Sequence, residues 1–391
     1  MEIKEKALQA HIGGKLEVGY KYPLETKEDL SIAYTPGVAE PCKEIHKDKS
    51  LVYKYTSKGN TVAVISDGTA VLGLGNIGPE AGIPVMEGKA ALFKRFANID
   101  AIPLCIDTQD VEEIIKTCKI LSPSLGGINL EDISAPRCVE IERRLIKELD
   151  IPVMHDDQHG TSIVVSAAIL NCVRLTKKKM EDLVVVMSGT GAAGSNIARM
   201  LKKLGIKTIY ASNKDGVVDI NKYDSYDFLI KELLDDGIID TKPNHNNTLA
   251  SLLEGANVFI GVSAPNLVTK EMVKTMVDPF VFALANPTPE ISYYDAKDAG
   301  AVIIGTGRSD FPNQVNNLLA FPGIFRGALD AHSKKITEGM KKEAAFALAS
   351  LITDEELSKD YILPSAFDER VVPAVSEAVR KQAIKEKVCR E

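Results

Sequence analysis

The segment Leu183–Gly205 constrains this chain more than any other. An apolar run, Leu183–Met187, leads through Ser188 into Gly189-Thr190-Gly191-Ala192-Ala193-Gly194. Ile197, Met200, Leu201 and Leu204 then recur at helical spacing, and Gly205 closes the run. A strand, a glycine turn and a helix in that order form the opening unit of a nucleotide-binding α/β fold. The glycines permit the tight turn and a close backbone approach to a pyrophosphate, which the helix N-terminus holds with free N–H groups and its positive dipole end. Residues 189–194 are therefore the candidate cofactor-binding loop.

Further short apolar runs at Thr208–Ser212, Val258–Val262, Val281–Ala285 and Val302–Gly305 continue the unit. The gaps between them suit crossover helices and a parallel sheet. A chain of 391 residues is too long for one ordinary core. Its first part reads as a separate α/β unit, with strands at Thr61–Ser66, Ala101–Ile106, Gly127–Leu130 and Ile151–Met154, and helices at Glu87–Ala97, Val111–Leu121 and Arg137–Leu149. The expected organisation is residues 1–155 as an N-terminal α/β domain, 156–317 as a Rossmann-type dinucleotide-binding domain with a parallel sheet, and 318–391 as a helical segment returning to the first domain. Breaks are expected near Pro364 and Pro373. A second glycine pattern, Gly73-Leu-Gly75-Asn-Ile-Gly78, precedes Pro79, Gly82 and Pro84. Those residues argue against a helix starting there, so it reads as a backbone turn near the substrate.

Cofactor preference turns on the end of the second strand of the dinucleotide unit. An acid about 20 residues on would bind the ribose 2′-hydroxyl and repel a 2′-phosphate. Here Ser212-Asn213-Lys214 stands there, with no acid before Asp215. The reading leans to NADP, with NAD as the alternative. Glu131-Asp132 and Asp156-Asp157 each follow a short apolar run. Carboxylates at strand ends can gather around a hard cation, Mg²⁺ or Mn²⁺, or can simply cap the helices that follow. His155 and His159 flank the second pair and read as hydrogen-bonded bystanders more readily than as zinc ligands.

Other functional classes find no support. The formal net charge of −7 gives no nucleic-acid footprint. No apolar stretch reaches membrane-spanning length, and the N-terminus lacks a signal-peptide core. Six scattered cysteines read as buried thiols in a reducing compartment, so a cytoplasmic location is expected.

Taken together, the segments Ile32–Cys42, Ile65–Gly78, Pro84–Lys94, Asn129–Ile133, His155–Thr161, Ser188–Gly194, Ala283–Pro289 and Gln314–Phe325 resemble the malic enzyme family in its short microbial form. The resemblance implies oxidation of malate with NADP or NAD and decarboxylation to pyruvate, aided by Mg²⁺ or Mn²⁺, in a homodimer. It assigns Tyr34 as general acid and Lys89 as general base. It makes Glu131, Asp132 and Asp157 the metal ligands, with Asp156 behind them. Asn286 and Asn317 face nicotinamide and substrate, and Asn316 adjoins the cofactor. The base needs a lysine with a depressed pKa, and a place in the first turn of the expected Glu87–Ala97 helix would help. Longer family members carry a carboxylate-binding arginine just after the Asp-Gly matching Asp67-Gly68. Here Thr69-Ala70 stand there, so the substrate carboxylates have no assigned partner. A malolactic reaction, releasing lactate and retaining the cofactor, uses much the same residues.

Overall fold

The computed structural model describes residues 3–390. In the first unit β1 (Thr61–Ser66) is a buried β-branched run. It pairs in parallel with β2 (Asp100–Cys105) and β3 (Gly127–Leu130), and β3 pairs with β4 (Val153–His155). The sheet order is β2-β1-β3-β4. The second sheet runs β10-β9-β8-β5-β6-β7, built from β5 (Val184–Ser188), β6 (Thr208–Asn213), β7 (Gly216–Val217), β8 (Val258–Gly261), β9 (Phe280–Ala283) and β10 (Ile303–Thr306). All its pairings are parallel except β6 with β7. The sheet is thus the doubly wound kind the glycine fingerprint implied. The two-residue β7 carries no periodicity and was not anticipated.

The helix Asp156–Thr176 joins the units and is buried along most of its length. Its Ile163–Ile169 stretch lies in one core with Val62, Phe93, Met187, Leu201 and Val379. The tail forms helices at Phe321–Asp330, Glu338–Ser350 and Val371–Lys385. Phe321 and Phe325 pack edge-on against Phe93 of the first unit, at 4.7 and 5.4 Å between ring centroids. Asn171 donates to the carbonyls of Ala349 and Ile362, fastening the tail to the joining helix.

Three sequence readings need correction. A helix does start after the second glycine pattern, and it runs from Pro79 to Ala97. Pro79 takes the first position, where a missing N–H costs nothing, and burial of Met86, Ala90, Phe93 and Ala97 holds the helix through Pro84. Lys89 therefore sits in mid-helix, beyond reach of a first-turn dipole. Pro373 lies inside the first turn of Val371–Lys385 and breaks nothing. Of the cysteines, Cys118, Cys138 and Cys172 are buried, but Cys42 is exposed; all six are free. No described helix is long and apolar enough to cross a membrane.

Candidate active site

A cleft of about 790 Å³ opens where the C-terminal ends of the two sheets face each other. The glycine fingerprint forms one wall. Gly189 has φ +105°, and a Cβ there would press on the Val262 carbonyl. A Cβ on Gly194 would be driven onto the Gly189 carbonyl oxygen. Gly191 has nothing within 4 Å of its missing Cβ, and the helix Ala192–Lys203 begins directly after it. That leaves open space in front of a helix N-terminus, where a pyrophosphate fits. Ala192 and Ala193 line the cleft, and Thr190 is buried. Ser212 and Asn213 end β6, and Lys214 is exposed on the turn to β7.

The acidic wall comes from the ends of β3 and β4. One oxygen from each of Glu131, Asp132 and Asp157 lies within 4.8 Å of the other two. Asp132 adopts φ +52°, and its N–H donates to Asp157 Oδ2 at 3.0 Å. Asp132 Oδ2 is buried without a hydrogen-bond partner. Burial, then the charge of Asp157, pushes the Asp132 carboxyl up to about 7. Burial likewise raises Glu131, against the pull of Lys89. Crowded carboxylates with an orphaned oxygen and no cysteine among them suit a hard divalent cation, so the residues fit Mg²⁺ or Mn²⁺.

Lys89 Nζ donates to Asp156 Oδ2 at 2.6 Å and lies 2.9 Å from Glu131 Oε1. It also sits 4.2 Å from the Phe321 ring centroid. Burial alone would lower its pKa, but Asp156, Glu131 and Asp157 together outweigh that and hold the proton on. The expected depression is thus reversed with this set of neighbours. Asp156 is fully buried and also accepts from Asn317 Nδ2 at 3.0 Å. Asn286, Asn316 and Asn317 line the cleft, although Asn316 Oδ1 accepts from the Leu318 N–H. The second glycine pattern approaches from the other side: a Cβ on Gly73 would lie 2.7 Å from the Asn286 carbonyl oxygen.

One expected contributor, Tyr34, lies elsewhere, and the histidines stay outside the carboxylate cluster as the sequence suggested. Tyr34 is 66% exposed and does not line its own chain's cleft. His159 is tied to Glu142 at 2.9 Å and to Lys341, and neither His155 nor His159 belongs to the carboxylate cluster. Glu142 Oε1 accepts the His155 N–H at 2.7 Å, bracing the β4 end that carries Asp156 and Asp157. The sequence reading missed this bracket because Glu142, His155 and His159 sit on different elements, and Lys341 comes from the distant tail. It also missed His11 and Lys15, which line the cleft.

The model of the malic enzyme N-terminal domain matches residues 13–146, and that of the malic enzyme NAD-binding domain matches residues 158–384. The chain belongs to the malic enzyme family. A bifunctional malic/malolactic enzyme of Bacillus subtilis is 52% identical over 100% of this chain and 95% of its own length. An NAD-dependent malic enzyme of Geobacillus stearothermophilus is 49% identical over 100% of this chain and 81% of its own. NADP-dependent malic enzymes of Haemophilus influenzae and Escherichia coli match at 45% identity, and this chain spans about half of each. The crystal structure of a malic enzyme from Pyrococcus horikoshii superposes with a TM-score of 0.92 at 45% identity, over 100% of this chain and 92% of that one. Among malic enzymes, then, this chain has the length of the short forms.

Proposed function

We propose that this malic enzyme oxidises malate with NAD or NADP and decarboxylates the product to pyruvate and CO₂. The observation that carries the reading is the carboxylate cluster of Glu131, Asp132 and Asp157 beside Lys89, in a cleft whose opposite wall is the glycine fingerprint. A divalent cation held by the three carboxylates would supply electrophilic polarisation of the substrate's C2 oxygen. A dinucleotide whose pyrophosphate is held by residues 189–194 would supply the hydride acceptor for C2. Lys89 Nζ, held by Asp156 and Glu131, is the group placed to accept the C2 hydroxyl proton in its neutral form. After CO₂ leaves, a proton must reach C3.

Tyr34 is the proposed donor, and because it is exposed and outside its own chain's cleft we assign it to the cleft of a second copy. Residues 3–38 expose Ile3, Leu8, Ile12, Val18, Leu30 and Ile32, an apolar surface suited to contact with a second copy. We place the homodimer contact there. Mixing a Tyr34→Phe chain with a Lys89→Met chain is expected to restore activity to dimers with one intact site. No recovery on mixing would refute a shared site.

The function is tested by combining malate, NAD or NADP, and Mg²⁺ or Mn²⁺. Absorbance at 340 nm and pyruvate should rise together. The B. subtilis relative's name favours one second reading, malolactic conversion with retained NAD; lactate accumulating without reduced cofactor would establish it instead. Lys214, exposed and without a carboxylate partner among the described residues, leads us to place NADP first. Lys214→Glu is expected to raise the KM for NADP at least ~10-fold, through like-charge repulsion, and to leave that for NAD little changed. An unaltered KM for NADP would remove the basis for that preference.

A further inference from the structure

We propose that Lys15 is the residue that binds one carboxylate of the dicarboxylate substrate. This inference rests on the malate reading above. The substrate carries two negative charges into a cleft whose ionisable lining includes three carboxylates, Glu131, Asp132 and Asp157, and two ammonium groups, Lys15 and Lys89. The carboxylates are already crowded, with one oxygen of each within 4.8 Å of the other two. A bound divalent cation offsets that cluster, but a second substrate carboxylate still needs a positive partner to replace its water shell. Lys89 is engaged with Asp156 and Glu131. Lys15 is not: among the described residues no carboxylate lies within ion-pair distance of its amine.

The position of Lys15 is built by local structure. The helix Ile3–Ala10 ends in a turn, with Gly13 and Gly14 both at φ +82°. The Lys15 N–H then donates to Glu87 Oε2 at 3.0 Å, which fastens the segment to the Pro79–Ala97 helix two residues from Lys89. Lys15 Nζ donates to the Pro84 carbonyl at 2.7 Å and lies 2.7 Å from His11 Nε2. His11 Nδ1 is 2.7 Å from the Ala7 carbonyl. A ring whose Nδ1–H donates to Ala7 presents a bare Nε2 to the ammonium, so His11 serves as a neutral acceptor that aims it. Two of the three ammonium hydrogens are thus used on neutral oxygen and nitrogen, and one remains for an anion. Gly88 lets the amine come close, since its missing Cβ would lie 3.4 Å from Lys15 Nζ. Arg137, another cation of the first unit, does not line the cleft. It donates to Asp67, Thr69, Ser134 and the Gln109 carbonyl.

The test uses the full-length chain with Lys15→Met, which keeps the stem and removes the charge, and Lys15→Arg, which keeps the charge. With saturating metal, Lys15→Met should raise the KM for malate at least ~10-fold, leave kcat within about threefold, and leave the KM for the dinucleotide unchanged. Lys15→Arg should recover most of the malate affinity. An unchanged KM for malate in Lys15→Met overturns the assignment. So does a loss spread equally over malate, dinucleotide and kcat, or a failure of arginine to restore affinity, because a merely structural lysine would behave in those ways. If the wild-type chain reduces neither dinucleotide with malate, the functional reading fails and this inference fails with it. Failure of Lys15 alone leaves malate turnover intact.

Discussion

Lys89→Met is expected to lower malate oxidation by at least ~10³-fold while dinucleotide binding, read from NAD(P)H fluorescence, stays within about twofold. Methionine matches the aliphatic stem and keeps the packing on Phe321, 4.2 Å from the amine. It removes the amine that touches both Asp156 and Glu131. Losing the amine leaves Asp156 buried with Asn317 as its remaining partner. Removing one partner of a buried pair costs about 3–5 kcal/mol unless the carboxylate takes up a proton. Burial already raises the Asp156 pKa, with Lys89 pulling it down, so protonation should limit the loss and the variant should fold with a lower Tm. Lys89→Arg is not expected to rescue, because a guanidinium stays charged and cannot act as a base. More than a tenth of wild-type oxidation in Lys89→Met would show that another group takes the proton.

Gly194→Ala is expected to weaken dinucleotide binding at least ~10²-fold and to cost about 1–3 kcal/mol of stability. The added methyl would be driven onto the Gly189 carbonyl oxygen, so the turn must open. Gly191→Ala makes the contrast. Nothing lies within 4 Å of its added Cβ, so its Tm should match the wild type while a bound pyrophosphate alone feels the methyl. Equal Tm losses in the two variants would contradict the separate roles given to these glycines.

Much of this architecture was legible because it is locally encoded. The strand of Val184–Ser188, its glycine turn and the helix behind it are set by neighbours within one 20-residue window. The β-branched run of β1 is buried throughout and reads as one continuous strand segment. The helix from Pro79 failed on local signals, because two prolines and a glycine speak for a break while packing of Met86, Ala90 and Phe93 decides the outcome. The Lys89 proton state failed for a related reason: it depends on Asp156 and Glu131, which the fold brings in from other elements. Motif order named Tyr34 but could not say which cleft it serves. Lys15 carried no signal at all, since a lysine after two glycines looks like any solvated turn until Glu87 and Pro84 hold it against the cleft.

The central claim is that Glu131, Asp132 and Asp157 hold one divalent cation, and Mn²⁺ titration followed by electron paramagnetic resonance tests it without any turnover. The wild-type chain should bind one Mn²⁺ tightly. Asp132→Asn should bind it at least ~10²-fold more weakly while folding normally, because asparagine tolerates the φ of +52° found there. Asp157→Asn should do the same. Wild-type Mn²⁺ affinity in both variants would contradict the account.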